Sequence, residues 1–150
     1  MTAIYRAPMR ARDREVEPGA GAEHCLARGL VGIGPGTGEK AARMLHRFAT
    51  LPEGLFVWTR ERGGGYRLGR ISGPLREDRT AARAVGITHV RPADWVDRVF
   101  AEPEVPDAVA RTFARGGRNL QRTHDDEAER LTAELWEAAT YGSRPQTSKP

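Results

Sequence analysis

The stretch Val31-Gly-Ile-Gly-Pro-Gly-Thr-Gly-Glu-Lys40 has the residue types of a phosphate cradle: four glycines, a threonine and a lysine ahead of the helical run AARMLHRF. A P-loop needs glycine directly before the lysine and a hydroxyl directly after it, because backbone amides hold the phosphates and the hydroxyl holds the metal. Here Glu39 separates Gly38 from Lys40, and Ala41 takes the place of the hydroxyl. A Gly-x-Gly-x-x-Gly fingerprint fails too, since its third glycine falls on Thr37 or Glu39. Glu39 also sets negative charge where a helix N-terminus would draw an anion. The stretch reads as the end of a strand, a tight turn over residues 35–38, and a helix with Ala41, Leu45 and Phe48 on one face.

Nucleophilic chemistry needs an activated nucleophile beside a base. The pairs with the right types are His24 with Cys25 and His89 with Asp94, and neither has a motif around it. Cys25 is the one cysteine; it borders an apolar strand and reads as a buried structural thiol in a reducing compartment. One cysteine and four scattered histidines give no CxxC or HxxxH pairing, so no metal or other cofactor is expected. The sequence reads as non-enzymatic. Were it a hydrolase, Glu53 or Asp94 near Arg70 would be the candidate carboxylates.

Charge points elsewhere. Of 24 basic residues only Lys40 and Lys149 are lysine, and the formal net charge is +4. Residues 125–150 hold six acidic and three basic side chains, so the positive excess lies in the body of the chain. Arginine presents a planar fork suited to phosphates, and a pI near 9.8 permits a nucleic-acid partner. No apolar run approaches the ~20 residues of a membrane span. The basic N-terminus lacks an apolar h-region, so a cytoplasmic protein without a membrane partner is expected.

These residues need elements to hold them. Residues 1–22, rich in Arg, Glu, Pro and Gly, read as a loosely held arm ahead of a domain over 23–124. A strand about 25–34 leads into a helix about 38–49. LFVWTRERGGGYRLGRISG gives two alternating strands joined by a glycine-rich loop. PLREDRTAARAVG is a polar connection, and ITHVRPADWV a strand in which Pro92 marks an edge or bulge. A short helix has Pro106 in its first turn and stops at Gly116-Gly117; NLQRT is a closing strand. A C-terminal helix over 125–142 opens on acidic residues that favour its dipole and carries an apolar stripe of Leu131, Leu135 and Ala138 beside Trp136. Residues 143–150 read as a disordered tail. The class is α+β: a small, twisted, mostly antiparallel and partly closed β-barrel decorated by helices.

Four pieces in order are distinctive together: VGIG (31–34), EGLFVWTR (53–60), YRLGRISGP (66–74) and HVRPADW (89–95), with a weaker VPDAVARTFARGGRNLQR (105–122). Over residues 25–122 the chain resembles the EVE-like branch of the PUA-like superfamily, above all the N-terminal domain of Mrr-type restriction endonucleases and its stand-alone bacterial relatives. The resemblance implies a barrel with a pocket at one end. It also implies binding of nucleic acid, DNA ahead of RNA, by recognition of a modified base flipped from the duplex. The setting would be restriction or defence, with a nuclease as a separate subunit. Two departures stand out. Pro35 occupies a position where the family often has tryptophan, and the roughly thirty residues after the barrel are too few for a nuclease domain.

Reading a flipped base takes an aromatic face and a few hydrogen-bonding groups. Trp58, Tyr66 and Trp95 are the aromatic candidates, with core packing as the competing role for the tryptophans and a cover over the barrel mouth for Tyr66. Arg70 and Arg91 are candidates for the same pocket, as are Ser72 and His89 for the base edge. Arg70 could equally pair with Glu53, Glu61 or Asp94, and a lone histidine is often structural. Arg60 and the loop arginines Arg76, Arg79 and Arg83 are candidate phosphate contacts, unless Glu77 and Asp78 neutralise that loop. Two other functions stay open: a hydrolase of the ASCH kind, acting on RNA or a modified nucleoside as some PUA-like relatives do, and a protein-interaction domain using Leu131, Leu135 and Trp136.

Overall fold

The alternation in FVWTR and YRLGRI makes a hairpin. Strands β3 (Phe56–Arg60) and β4 (Tyr66–Ile71) pair antiparallel, with Phe56 opposite Arg70 and Arg60 opposite Tyr66. Gly63 and Gly64 turn the chain at φ of 98° and 96°, which glycine adopts at little cost. In this computed structural model, which describes residues 2–117 and 120–141, that hairpin is the centre of a seven-stranded sheet. The order is β2-β6-β4-β3-β1-β7, where β2 is Leu30–Ile33, β6 is His89–Trp95, β1 is Ile4–Arg6 and β7 is Gln121–Arg122. The two-residue β5 (Arg76–Glu77) pairs with β6. All pairs are antiparallel except β1 with β3. The curled sheet with four helices is the small α+β barrel expected from the sequence.

Pro92 lies inside β6, where its partners change: residues 89–92 pair with β2, and residues 93–95 pair with β4. It marks a corner between two parts of the sheet.

Three local readings differ from the structure. Residues 4–9 are not a loose arm: β1 runs parallel to β3, Ile4 is fully buried, and Ala7 N–H donates to Trp58 O at 2.8 Å. A three-residue strand whose partners lie far along the chain leaves no local periodicity to read. Cys25 belongs to helix α1 (Ala20–Arg28), not to a strand; Gly29 at φ 66° ends the helix and returns its N–H to Cys25 O. The polar connection carries β5 and a 3-10 turn over Ala81–Val85. The expected tail over 143–150 lies outside the described residues.

The core has two parts. Cys25, Val31, Phe48, Val57, Ile71, Ile87 and Leu120 belong to one, closed by α1 and α2 (Glu39–Thr50). Ile4, Phe56, Trp58, Tyr66, Leu68, Phe100 and Val109 belong to the other, closed by α3 (Asp107–Ala114) and α4 (Asp126–Tyr141). Along β3 the partition follows the pleat, Val57 to one side, Phe56 and Trp58 to the other. The packed stripe of α4 is Ala128, Thr132, Leu135, Trp136 and Ala139; Ala138 is exposed. Among the described residues no helix is long and apolar enough to cross a membrane, and no three His, Cys, Asp or Glu side chains cluster to hold a metal.

Candidate nucleic-acid interface

Beyond β1 the chain runs through Ala7–Arg12 and faces residues 32–37. Together with the start of α2 and Leu120–Gln121 these segments enclose a groove of ≈ 810 Å³. Close backbone approach shapes it. A Cβ on Gly34 would lie 1.9 Å from Gly86 O, and one on Gly32 would lie 2.5 Å from Ile87 Cγ2, so both glycines are needed for space. Arg12 Nη1 donates to Pro35 O at 2.6 Å and ties the N-terminal segment to the turn.

The groove is basic. Arg10, Arg12, Lys40, Arg43 and Arg47 line it, against a single carboxylate, Glu39. Glu39 is exposed and 4.0 Å from Arg43, a separation at which a solvated pair contributes little. Among the described residues, none of Arg10, Arg12, Lys40 and Arg47 pairs with a carboxylate. The N-terminus of α2 has no side-chain cap, which leaves first-turn amides as donors at the same rim. Met9, Ile33, Pro35 and Met44 supply apolar lining, and no aromatic side chain takes part.

The aromatic candidates lie elsewhere. Trp58 is fully buried, its indole N–H donates to Thr132 Oγ1 at 3.1 Å, and it meets Phe100 edge-on at 5.5 Å. Tyr66 is also fully buried, edge-on to Phe113, with its hydroxyl donating to Glu102 at 3.2 Å and its pKa raised first by burial. Neither offers a free face to a base. Trp95 is half-buried; it donates to Leu30 O at 2.8 Å and lies against Gly69, where a Cβ would come within 2.6 Å of its ring.

The arginines divide into structural and solvated. Arg91 is 3% exposed and donates to the carbonyls of Gly73, Phe48 and Leu51 at 2.8, 2.9 and 2.7 Å; burial lowers its pKa. Arg70 donates to Gly54 O at 2.7 Å and lies over the rings of Phe56 and Trp136, 4.6 and 5.6 Å from their centroids. It pairs with none of Glu53, Glu61 and Asp94. Arg60 is exposed, donates to Gly64 O and sits 5.4 Å over Tyr66. Arg76 pairs with Asp78, and Arg79 and Arg83 with Glu77, at 3.5, 3.2 and 3.8 Å. Ser72 is exposed, and His89 Nδ1 lies 2.9 Å from Thr88 Oγ1.

The catalytic pairs are not assembled. Cys25 is fully buried, and burial pushes its thiol up to about 12, the reverse of what a nucleophile needs. Glu53 and Asp94 are exposed and outside the groove. Sequence reasoning missed Arg10, Arg12, Arg43 and Arg47 as a set. The alternating basic residues of PMRAR were a signal, but their setting depends on β1.

No family model and no curated protein matches the sequence. Among solved structures, the chain is similar to the YTH domain of the Zygosaccharomyces rouxii MRB1 protein in complex with N6-methyladenosine RNA. The TM-score is 0.52 at 12% identity, covering 99% of this chain and 89% of that one. The likeness shows the fold alone, a small α+β barrel shared with that YTH domain.

Proposed function

We propose that the chain is a nucleic-acid-binding module, without catalysis of its own, that holds a single strand across the basic groove with one unpaired base against its apolar lining. The observation that carries this reading is the convergence of five basic side chains on a groove with one weakly paired carboxylate. At ≈ 810 Å³ the groove falls within the ~300–1,000 Å³ range of small-ligand sites, room enough for a nucleoside. Without an aromatic wall, a base would stack on an arginine plane and on the soft, half-buried side chain of Met44. A methylated base adds apolar contact to that surface. The fold is that of a domain solved with N6-methyladenosine RNA, which supports RNA as the first ligand to test; DNA, a restriction setting and a nuclease partner rest on the sequence resemblance alone.

The competing readings have less support. The carboxylates for hydrolysis stand outside the groove, and of the α4 interaction candidates Leu135 and Trp136 pack on the barrel.

Titrations with single-stranded RNA and DNA octamers, with and without N6-methyladenosine, test the proposal. Combining Lys40→Gln, Arg43→Gln and Arg47→Gln is expected to reduce affinity for every sequence and lower the salt slope by about 2, at ~0.7 per phosphate contact. Combining Arg76→Gln, Arg79→Gln and Arg83→Gln is expected to lower the slope by less, because Glu77 and Asp78 already offset two of those three charges. Absence of binding to every octamer at low salt would overturn the reading. Binding unaltered by the first triple variant would move it off this groove.

A further inference from the structure

Pro8 and Arg10 line not one cavity but two. The second, ≈ 390 Å³, opens between the glycine-rich β3–β4 loop and the end of α3. Its charged lining is Arg6, Arg10, Arg60, Arg62 and Glu61. Glu61 is engaged by Arg67 at 3.4 Å, and Arg62 by Glu17 and Glu23 at 3.3 and 3.5 Å. That leaves Arg6, Arg10 and Arg60 without a carboxylate among the described residues.

Arg6 is the unusual member. It is 5% exposed, and its Nη1 donates to Thr112 O and Gly116 O, at 2.6 and 2.7 Å, at the C-terminal end of α3. Those carbonyls carry only the partial negative charge of a helix end. Its Nε is enclosed without a hydrogen-bond partner, and among the described residues Nη2 has none either. Burial and the neighbouring Arg115 depress its pKa, yet an arginine stays charged. A buried cation lacking a counter-ion is costly, and an anion in this cavity would offset that cost.

We propose that Arg6, Arg10 and Arg60 form a second phosphate site, which takes a backbone phosphate of the same strand whose base occupies the first groove. This rests on the nucleic-acid reading above. Two basic cavities sharing Arg10 as a common wall suit a ligand with repeating negative charge, whereas an isolated anion would fill only one. The strand would pass over Pro8–Arg10, and the left-handed glycines of the β3–β4 loop, with no Cβ, would let its backbone come close.

The test is a length series of single-stranded oligonucleotides, tetramer to octamer, on wild type, Arg60→Gln and Lys40→Gln, with inorganic phosphate as a separate probe. Arg60 is chosen because it is exposed and, among the described residues, its side chain holds only the Gly64 carbonyl and the ring of Tyr66, so the variant is expected to fold. The octamer is expected to bind wild type more tightly than the tetramer. In Arg60→Gln the octamer should lose about tenfold in affinity and about 0.7 of salt slope, one single-strand phosphate contact, while the tetramer keeps its affinity. Lys40→Gln should weaken both lengths. A full gain from tetramer to octamer in Arg60→Gln would overturn the second site and leave the groove standing. No binding of either length to wild type would overturn both. Inorganic phosphate that shifts the Arg60 Nε–H resonance, with no gain on lengthening the strand, would assign the cavity to a free phosphate and overturn the strand path.

Discussion

The indole N–H of Trp58 donates to the hydroxyl of Thr132, 3.1 Å away, and so joins the central hairpin of the sheet to helix α4 inside the core. The bond decides what Trp58 can do: its edge is committed to the helix and its faces to Phe100 and its neighbours. Trp58→Ala is expected to lose about 3–5 kcal/mol of stability, as large aromatic truncations in cores do. Trp58→Phe keeps much of the volume but strands the Thr132 hydroxyl, for about 1–3 kcal/mol. Denaturant unfolding monitored by circular dichroism checks both. Oligonucleotide affinity of the folded protein should match wild type; a selective loss of base discrimination in Trp58→Phe with unchanged stability would return Trp58 to the binding site.

Arg91 makes the corresponding point for charge. Its guanidinium joins β6 to the carbonyls of α2's last turn and of Gly73. Arg91→Met would leave three carbonyls without that donor, and a stranded buried group costs about 1–3 kcal/mol. The variant is expected to lose about 3 kcal/mol or more in thermal or denaturant unfolding. Arg91→Lys should recover little, since a single ammonium lacks the fork that spans the three acceptors. Intact stability together with lost nucleic-acid binding would reverse this assignment.

Cys25 gives a pH-dependent test. The folded thiol is held up at about 12, against about 8.5 for a free thiol. Between those values the unfolded chain has lost the proton and the folded chain retains it. Unfolding therefore releases a proton, and stability falls as pH rises through that window. Cys25→Ala should flatten the decline between pH 8.5 and pH 10, measured as denaturation midpoint against pH. A thiol reagent at pH 8 should label native protein only at the rate of unfolding and denatured protein at once. Rapid labelling of the native state would show the thiol to be accessible.

What was legible in the sequence is what local pattern encodes. The β3–β4 hairpin announces itself by alternation around a triple glycine, α2 by its spaced apolar residues, and α4 by an acidic first turn. β1 is three residues long and pairs in parallel with a strand distant in sequence, so nothing near Ile4 signals it. Because β1 fixes the course of Ala7–Arg12, the groove was unreadable for the same reason. The aromatic candidates failed on a different count. Alternation assigns Phe56 and Trp58 to the face opposite Val57, but cannot say that α3 and α4 cover that face, which is a fact of tertiary packing.

The glycine-rich stretch before α2 separates space from charge. Gly34 has no room for a side chain, because an added Cβ would meet Gly86 O at 1.9 Å, far inside contact distance. Even Gly34→Ala must push apart the turn and the segment before β6, and a loss of about 1–3 kcal/mol is expected, the usual range for overpacking. Lys40 is exposed in the first turn of α2 and forms no ion pair among the described residues, so Lys40→Gln should leave stability unchanged while reducing nucleic-acid affinity and its salt dependence. A nucleotide-binding loop predicts a different pattern, magnesium-dependent ATP binding that vanishes with Lys40→Gln. Calorimetric titration with magnesium-ATP is expected to show no such binding, since Glu39 and Ala41 stand where the loop needs glycine and a hydroxyl. Stability loss in Gly34→Ala, binding loss in Lys40→Gln and silence toward ATP would together establish that these glycines shape the groove and that its charge, not a P-loop, meets the phosphate.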